Sequence, residues 1–486
     1  MKRTKVIGVL MALVMAMTVA SPMVLHQEKT VQATTKKSGK IKLNYKKKTI
    51  RVGQKVTLKL KHAKAKKVKW KSSNKKIATV KKGVVKGKRK GRVTITAKYR
   101  GKKYKAKIRI IKGKYIISKD DCWVDVSDTS IKQAQKMVDE MDQAKNIIVS
   151  PTSLNVVLGM VVNGADTKVQ KEIETYLGKT KEEYNQEILK FMNRTGKETA
   201  LNVHNSFWYK NLYQVQPDLE NVLKNSYLSE NQGIQMIQDD VKTINQWVSD
   251  KTDKMIPTIL DGITADTVAI FINAILFKGE WTVPFEANNT YANTFTQFDG
   301  TKKKIPMMHG EESIYYENKK AIGFEKTYGK NKEYSFIAML PKKEGAFTVK
   351  SLNPESFLQS RTDRYRVNVE MPKFTYDWSD EGVLNDYLKA NGLPTMFDAT
   401  VNPLGKIFVN CPENVYVSDV IQKCKIIVDE EGTKAAAVTA VIAKATAMLH
   451  PSVKRKTVKL NRPFAYMIVD NQSGEILFMG KMIQPK

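Results

Sequence analysis

One stretch of the chain, from Lys36 to Lys114, carries 34 lysines and arginines and not one aspartate or glutamate. The first 35 residues carry four bases and one acid, and the residues from Tyr115 onward carry 45 bases and 47 acids, so the net charge of +35 divides into +3, +34 and −2 along the chain. A chain of 486 residues also exceeds what one hydrophobic core usually organises. The sequence therefore predicts a very basic small domain attached to a near-neutral large one.

The first twenty residues have the layout of a secretory signal peptide, because the basic start KRTK precedes the apolar run VIGVLMALVMAMTVA. That run is short for a membrane span. Cleavage after Ala20 or after Ala33 fits the small residues at both places, and we expect Ala33 because the preceding QEKTVQA is polar. No cysteine lies near either site, which argues against a lipid anchor. We therefore expect a secreted protein whose signal peptide is residues 1–33.

Three cysteines occur, namely Cys122, Cys411 and Cys424. An odd number in an exported chain argues against a disulfide framework, and the absence of a CxxC motif argues against structural zinc. We expect three free and mostly buried thiols, because a free cysteine behaves as a small apolar side chain. No metal site and no cofactor are expected.

After a short linker at residues 34–39, residues 40–112 alternate apolar and cationic positions in the segments VTLKLK, RVTITA and KAKIRI. A period of two predicts strands with one face in a core and a cationic face in water, and the intervening glycines suit a small β-sandwich. The stretch VKWKSSNKKIATVKKGVVKGKRKGRVTITAKYRGKKYKAKI resembles the bacterial Ig-like domain of group 2. The core positions that this resemblance implies are Trp70, Ile77, Val80, Val85, Val93 and Ile95.

A domain without acids should bind polyanions by charge, and more weakly as salt rises. For a protein exported by a bacterium the nearest polyanions are wall teichoic acids and anionic polysaccharides, so we expect an electrostatic tether to anionic cell-wall polymers. A solubilising spacer is the alternative. Specific nucleic-acid binding is not expected, because the aromatic residues fit a sandwich interior better than a stacking platform. Those residues are Tyr45, Trp70, Tyr99 and Tyr104.

Beyond a predicted linker at residues 113–127, the domain at residues 128–486 mixes helical and strand patterns. SIKQAQKMVDEMDQAK has its apolar residues on one face of a helix, and VAIFINAILF is apolar enough for a central strand buried on both faces. FAYMIVDNQSGEILFMG predicts a hairpin. These patterns indicate an α+β domain.

The sequence does not indicate an enzyme. It contains no GxSxG, HExxH, GxGxxG or GxxxxGK[ST] motif, and none of its five histidines lies in a recognisable catalytic motif. Those histidines are His26, His62, His204, His309 and His450. We expect structural or exposed roles for them.

The segment DEEGTKAAAVTAVIAKATAML, from Asp429 to Leu449, is too apolar and β-branched for an ordinary loop. On a period of two, one face carries small uncharged side chains while Lys434 and Lys444 fall on the other. That face comprises Thr433, Ala435, Ala437, Thr439, Val441 and Ala443. Such a strand could enter the middle of an existing sheet, with Gly432 as a hinge. An edge strand or an Ala-rich helix fits the local sequence equally well.

VDEEGTKAAAVTAV closely resembles the hinge of serpins, the protease inhibitors whose reactive loop inserts into their own central sheet. Seven blocks across residues 128–486 follow the family's order, among them NIIVSPTSLNVVLGMVVNGA, AIFINAILFKGEWTVPFE and LNRPFAYMIVDNQSGEILFMGK. The resemblance implies helices around three β-sheets with an exposed reactive loop. It also implies a suicide mechanism, in which an extracellular serine protease is trapped as an acyl-enzyme when the cut loop becomes a new strand.

The resemblance assigns three groups of site residues in this sequence. The hinge residues are Glu430, Glu431, Gly432, Thr433, Ala435, Ala436 and Ala437. Trp281 matches the tryptophan at the point where the loop first enters the sheet, called the breach. The polar cluster beneath the opening strands, called the shutter, matches Ser150, Ser153, Asn273 and Gln422, where glutamine replaces the family's usual histidine.

Counting seventeen residues from Glu430, as the family does, places the cleaved bond at Thr446–Ala447. Small residues on both sides suit an elastase-like or subtilisin-like protease. Lys444–Ala445 and Met448–Leu449 remain alternatives.

The predicted function is a secreted, monomeric inhibitor associated with the cell wall. Two other functions stay open: a non-inhibitory serpin that binds at the cell surface, and an adhesin in which the basic domain does the binding. A charge or proline on the inward row of the loop would impair insertion, and none is present, which favours the inhibitor.

Overall fold

The structure is a computed structural model that describes residues 6–15, 41–45, 47–52, 55–63, 67–89, 91–114, 126, 128–141, 143–195, 200–379, 382–412, 414–433 and 454–485. The chain divides into two compact units. The small domain lies within residues 25–121, and the large domain comprises residues 1–24 and 122–486. Each unit has its own hydrophobic core, as the charge distribution predicts.

Strand β1 (Val6–Met15) belongs to the large domain, and the next nine strands form the small one. They are β2 (Lys42–Leu43), β3 (Lys47–Val52), β4 (Lys55–Thr57), β5 (Leu60–Lys61), β6 (Lys69–Ser72), β7 (Ala78–Lys81), β8 (Val84–Gly87), β9 (Gly91–Tyr99) and β10 (Lys102–Lys114).

The small domain pairs these strands into a four-stranded sheet in the order β3-β10-β9-β6, a three-stranded sheet in the order β4-β8-β7, and the pair β2-β5. Val85, Val93 and Ile95 are buried as expected, whereas Trp70, Ile77 and Val80 are half-buried and pack against that core. The basic segment therefore forms the small β domain that its alternating pattern predicts.

VTLKLK is broken into two strands rather than forming one. The backbone N–H of Leu58 donates to the carbonyl of Gly83 at 2.9 Å, and that of Lys59 donates to the side chain of Asn44 at 2.8 Å. The chain therefore crosses from the partner of β4 to the partner of β5 at these two residues. The final strand, β10, continues to Lys114, two residues into the segment expected to be linker.

The helices of the large domain are α1 (Asp128–Glu140), α2 (Pro151–Val161), α3 (Thr167–Leu177), α4 (Lys181–Thr195), α5 (Pro217–Ser226), α6 (Asp240–Lys251), α7 (Pro354–Gln359) and α8 (Val383–Ala390). Its further strands are β11 (Ile147–Val149), β12 (Leu201–Lys210), β13 (Ser229–Ile234), β14 (Ala269–Phe277), β15 (Thr290–Thr296), β16 (Lys302–Glu312), β17 (Ile314–Glu317), β18 (Ala321–Tyr328), β19 (Tyr334–Pro341), β20 (Arg366–Pro372), β21 (Phe374–Ser379), β22 (Asn414–Val428), β23 (Arg455–Lys459), β24 (Phe464–Asp470) and β25 (Ile476–Met482).

Three sheets organise the large domain. The first, called sheet A here, has the order β13-β12-β14-β1-β22-β21. The second has the order β11-β25-β24-β19-β18-β17, and the third has the order β15-β16-β20-β23. The predicted hairpin is the antiparallel pair of β24 and β25, and the predicted amphipathic helix is α1. The α+β fold expected from the sequence is confirmed.

Strand β14 lies at the centre of sheet A, and all nine of its residues are buried. Helices α2 and α6 both contact it, and burial of every residue of the strand explains why VAIFINAILF has no polar alternation. Strand β22 alternates buried and half-buried residues along most of its length instead. The two strands that flank β1 therefore differ in how fully they are covered.

Helix α2 begins at a well-defined cap that also belongs to the candidate site. The hydroxyl of Ser150 accepts a hydrogen bond from the backbone N–H of Ser153 at 3.0 Å, and Pro151 occupies the first helical position. Serine as N-cap followed by proline is a favoured helix start. The helix contacts both β14 and β25, so its first turn lies between two sheets.

Candidate functional site

In sheet A the strand position between β14 and β22 is filled by a segment from the other end of the chain. This segment is β1, which runs parallel to both neighbours. Ala269 to Ile275 pair with one edge of β1, and Asn414 to Cys424 pair with the other. The segment expected to be removed as signal peptide thus supplies the backbone partner of both strands here. Its role as a signal stays a prediction.

At the end of β22 the chain makes a tight turn that leads into the predicted hinge. The carboxylate of Asp429 accepts hydrogen bonds from the backbone N–H groups of Glu431 at 3.0 Å and Gly432 at 3.1 Å, and its own N–H donates to the Gly432 carbonyl at 2.9 Å. Aspartate commonly stabilises turns this way. The turn fixes the direction in which the following residues leave the sheet.

Gly432 lies against the backbone that follows β14. It forms a β-bridge with Glu280, and a Cβ atom at this position would lie 2.1 Å from the carbonyl oxygen of Gly279. Any side chain would force the two segments apart. Glycine is required here for close backbone approach, which is a more specific reason than the hinge freedom expected from the sequence.

Trp281 contacts the hinge directly. Its indole nitrogen donates to the carbonyl of Asp429 at 2.9 Å, and its backbone N–H donates to the carbonyl of Glu431 at 2.8 Å. The side chain is 3% exposed and stacks on Tyr328 with 4.1 Å between ring centroids. The structure therefore places the predicted breach tryptophan at the point where the hinge meets sheet A.

Thr433 is the last hinge residue that the structure describes, and it is already inside the protein. It has no exposed surface, its N–H donates to the carbonyl of Gly279 at 2.9 Å, and its hydroxyl lies 2.8 Å from that of Tyr328. The first member of the predicted inward row therefore lies at the end of the strand position between β14 and β22.

Glu430 holds the hinge from its other side. Its carboxylate forms an ion pair with Lys373 at 2.7 Å, and its carbonyl accepts from the N–H of Phe285 at 2.8 Å. Partial burial is the largest single influence and acts to raise the pKa of this carboxyl, but the hydrogen bonds that the carboxylate accepts and the positive charge of Lys373 together outweigh burial, so the pKa is lowered. Glu430 is therefore charged at neutral pH, whereas Glu431 is exposed.

The four residues predicted for the shutter come together beneath the strands of sheet A. The hydroxyl of Ser153 donates to the side-chain carbonyl of Asn273 on β14. Gln422 on β22 accepts from the backbone N–H of Ser150 at 3.0 Å and donates to its carbonyl at 3.1 Å. All four residues have no exposed surface. Both β14 and β22, the strands on either side of β1, are thus bonded to the first turn of α2.

The network extends to two residues that the sequence did not single out. The side-chain amide of Asn273 donates to Asn205 at 2.7 Å, and Asn205 in turn donates to the carbonyl of Tyr227 at 2.6 Å. The sequence gives no signal for either residue, because Asn205 stands among other polar residues on β12 and Tyr227 takes part through its backbone carbonyl. We call Ser150, Ser153, Asn205, Asn273 and Gln422 the polar cluster.

Asn273 and Gln422 lie at the same level on opposite sides of β1, because Leu13 of β1 pairs with both. Any strand between β14 and β22 therefore passes between Asn273 and Gln422 at the level of the first turn of α2. Gln422 both donates and accepts, as two of its bonds require. Since glutamine does not titrate, this cluster contains no pH-sensitive group among its five members.

The remaining predicted residues lie outside the described part of the chain. These are the hinge residues Ala435, Ala436 and Ala437, the bond Thr446–Ala447 and the alternatives Lys444–Ala445 and Met448–Leu449. Cys122 also lies outside the described residues. The assignments of all these residues stay predictions. Of the two cysteines that the structure describes, Cys424 is buried and Cys411 is half-buried.

The described histidines of the large domain lie apart from this site. His204 is on β12, where burial and the positive charge of Lys251 lower its pKa to about 4. His309 is on β16, stacked on Tyr291 and 3.8 Å from Glu370. Within the described residues no three potential metal ligands cluster, and no helix is long and apolar enough to cross a bilayer.

Comparison with known proteins gives two family matches. The model of the serpin (serine protease inhibitor) family matches residues 126–485, and that of the bacterial Ig-like domain (group 2) matches residues 39–106. An uncharacterized serpin-like protein of Thermococcus kodakarensis is 29% identical over 357 residues, covering 70% of this chain and 81% of its own. Neuroserpin of Homo sapiens is 29% identical over 368 residues, covering 70% and 87%.

Solved structures agree with the sequence matches. The native state of tengpin, a thermophilic serpin, has 30% identity and a TM-score of 0.66, covering 74% of this chain and 96% of its own. The latent state of tengpin gives 28% identity and a TM-score of 0.63. With a family model matching well over half of its length, and with the hinge, breach tryptophan and polar cluster assembled as described, the chain belongs to the serpin family, whose members are generally protease inhibitors, and carries a bacterial Ig-like domain before the serpin domain.

Proposed function

We propose that this protein is a secreted suicide inhibitor of serine proteases. An elastase-like or subtilisin-like protease attacks the carbonyl carbon of Thr446, the amino group of Ala447 leaves, and an acyl ester joins the protease to the loop. The loop then inserts into sheet A and carries the protease with it before water hydrolyses the ester. The burial of Thr433 beside Tyr328 is the observation that supports this most directly.

The direction of insertion follows from the strands on either side. Strands β14 and β22 run the same way, since β1 is parallel to both. The loop follows β22 through the turn at Asp429, so a loop folded back beside β22 runs antiparallel to both flanking strands. Each backbone hydrogen bond contributes about 0.5–1.5 kcal/mol net, and a strand bonded along both edges gains many of them. Insertion is therefore strongly favourable.

The test is to mix the chain, beginning at residue 34, with an elastase-type serine protease. We expect an SDS-stable covalent complex on denaturing gels and a released C-terminal peptide whose intact mass corresponds to a start at Ala447. A peptide starting at Ala445 or Leu449, released together with a covalent complex, would support the suicide mechanism but would place the cleaved bond at Lys444–Ala445 or Met448–Leu449. Clean cleavage without a complex, by proteases of several specificities, would exclude the inhibitor and favour a non-inhibitory serpin that binds at the surface.

The same proposal assigns a place of action. The basic domain has no acid to neutralise its 34 cations between Lys36 and Lys114, so it holds the inhibitor near the bacterial surface by attraction to anionic wall polymers. Deleting residues 36–114 should leave protease inhibition intact and abolish retention on isolated cell walls. Loss of inhibition in that variant would contradict the separate roles of the two domains.

A further inference from the structure

The four-stranded sheet of the small domain presents one face that consists of cations and threonines. On β6, β9 and β10 the buried and exposed positions alternate, and ten exposed or half-buried side chains point outward. They are Lys69, Lys71, Arg92, Thr94, Thr96, Lys98, Lys103, Lys105, Lys107 and Arg109. We call these ten residues the cationic sheet face.

Strand register arranges these residues in columns with a channel between them. Lys98 pairs with Lys69 on one side and Lys103 on the other, and Thr96 pairs with Lys71 and Lys105. Thr94 and Thr96 are half-buried, whereas the eight cations are exposed. The columns on β6 and β10 stand about 10 Å apart, since neighbouring strands are about 4.8 Å apart. Short threonines thus line the floor of a channel with long cationic walls.

A cleft of about 730 Å³ borders this channel on the β6 side. Its lining includes Lys69, Lys71, Lys98 and Lys103 of the cationic sheet face, together with Lys81. The face is therefore concave at this edge. Several ammonium groups that point into one concave surface can neutralise successive negative charges of a single bound polymer.

The arrangement costs the domain stability in the absence of a ligand. Like charges directly opposite each other on adjacent strands are destabilising, and the row of Lys69, Lys98 and Lys103 places three side by side. No acidic residue between Lys36 and Lys114 offsets them. A polyanion bound along the face would remove this repulsion and stabilise the folded domain.

We propose that the cationic sheet face binds an extended polyol-phosphate chain, the chemistry of a wall teichoic acid, along β9. This inference rests on the proposed tether and assigns its site. On β10, directly beside β9, four cations of the face recur every second residue, about 6.7 Å apart, which provides a regular ladder for the phosphodiester groups of a linear polymer. Six of the eight cations are lysines, whose ammonium groups bind phosphate as point charges.

Nucleic acid fits this face less well. Single-stranded nucleic acids bind by stacking bases on aromatic side chains, and the ten side chains of the face include none. Tyr99 is buried in the core, and Trp70 and Tyr104 are half-buried against that core. Trp70 also lines the cleft beside the channel, but among the described residues it is the one aromatic residue of that lining and cannot form a row of stacking positions. The threonine hydroxyls instead offer hydrogen bonds to phosphate or polyol oxygens.

The test compares two triple variants of the whole chain for binding to synthetic poly(glycerol phosphate) by titration calorimetry at several salt concentrations. One variant is Lys69→Gln, Lys98→Gln and Lys103→Gln. Its control is Lys59→Gln, Lys86→Gln and Lys88→Gln, three exposed lysines outside the face. The face variant should bind at least about tenfold more weakly and lose about 2 from the slope of log K against log salt, and the control should stay within about threefold.

The other outcomes separate this site from the tether itself. An equal loss of affinity in both variants would overturn the assignment to the cationic sheet face, and binding would then depend on the overall charge of the domain. No binding by the unmodified chain at any salt concentration would overturn the tether and the site together. Equal affinity for hyaluronate, a carboxylate polymer, or for oligothymidylate at matched charge would overturn the assignment to polyol phosphate.

Discussion

The hydroxyl groups of Tyr328 and Thr433 lie 2.8 Å apart, and neither residue has any exposed surface. In the uncut chain a residue of the predicted hinge is therefore already buried at the end of the strand position between β14 and β22. The contact joins β18 to the first residue of the inward row. A charged or large side chain in place of Thr433 would either have to fit into this buried site or would prevent the hinge from entering it.

Thr433→Arg should convert the inhibitor into a substrate. An uncompensated buried charge costs several kcal/mol, so the hinge would stay outside sheet A and the acyl-enzyme would be hydrolysed before insertion. We expect the covalent complex to fall below about a tenth of the wild-type yield on denaturing gels, with the cleaved inhibitor accumulating instead.

Glu431→Arg is the matched control, because Glu431 is an exposed hinge residue only two positions away. It introduces the same side chain where no burial is required. Undiminished complex formation by Thr433→Arg would show that this position does not enter the sheet.

Asn273→Ala should loosen sheet A. The side chains of Ser153 and Asn205 are both buried, and each loses its hydrogen bond to the Asn273 side chain. Each such loss costs about 1–3 kcal/mol. We expect the temperature at which inhibitory activity is lost on heating to fall by several degrees. The control is Asn225→Ala on the exposed side of α5, which should leave that temperature unchanged. Equal shifts in both variants would exclude a specific role for the polar cluster.

Gln422→His should make the polar cluster sensitive to acid. A neutral imidazole can replace only part of the pair of bonds to Ser150, and burial lowers its pKa. The neutral imidazole would contribute its full stabilisation at pH values above the pKa of histidine in the unfolded chain, and this stabilisation would be lost as pH falls below that value. We expect the difference in unfolding free energy between wild type and variant to widen from pH 7.5 to pH 5.5, as measured by urea denaturation. A constant difference would contradict this.

His204 itself should make the large domain less stable in acid. Burial, with the charge of Lys251, lowers its pKa to about 4. The folded state therefore binds fewer protons than the unfolded chain between this value and about 6.5, and stability is lost as pH falls through that window. His204→Gln should remove about 2 kcal/mol of the loss between pH 7 and pH 5. His62→Gln, in the exposed part of the small domain, is the control and should leave the loss unchanged.

Removal of residues 1–33 should be required for full inhibition. Strand β1 occupies the position between β14 and β22, and a loop cannot enter an occupied position. A chain that retains these residues should yield more cleaved inhibitor and less covalent complex than one that begins at residue 34. Equal yields would show that β1 leaves the sheet readily when the loop is cut.

The sequence predicted the local elements well where one pattern dominates. VAIFINAILF is continuous because all of β14 is buried. The hinge is identified only through its resemblance to the serpin hinge, because its small inward row fits an edge strand or an Ala-rich helix equally well. The break of VTLKLK could not be predicted, since it depends on Asn44 and Gly83, which come from other parts of the small domain. Alternation of apolar and charged residues predicts which side chains share a face of a strand. It does not predict that Lys55–Thr57 and Leu60–Lys61 pair with different strands.

Non-local hydrogen bonds explain what the sequence missed in the site. Asn205 and Tyr227 join the polar cluster through partners on other elements, and no spacing in the sequence marks such a pair. Likewise the contact of Tyr328 with Thr433 links residues 105 positions apart. The place of β1 in sheet A was also not foreseen, because an apolar run after a basic start was interpreted only as an export signal.

Strand β22 carries Gln422 near its middle and leads into the hinge after Val428. Six residues of strand separate them, about 20 Å. Because the hinge pairs with Glu280 and Gly279 at the far end, the proposed mechanism requires a new strand to form progressively from there and to reach the level of Ser150 only after several residues have paired. That mechanism therefore has an early and a late checkpoint: substitutions near Trp281 should change whether insertion begins before the ester is hydrolysed, and those near Ser150 should change whether insertion is completed in time.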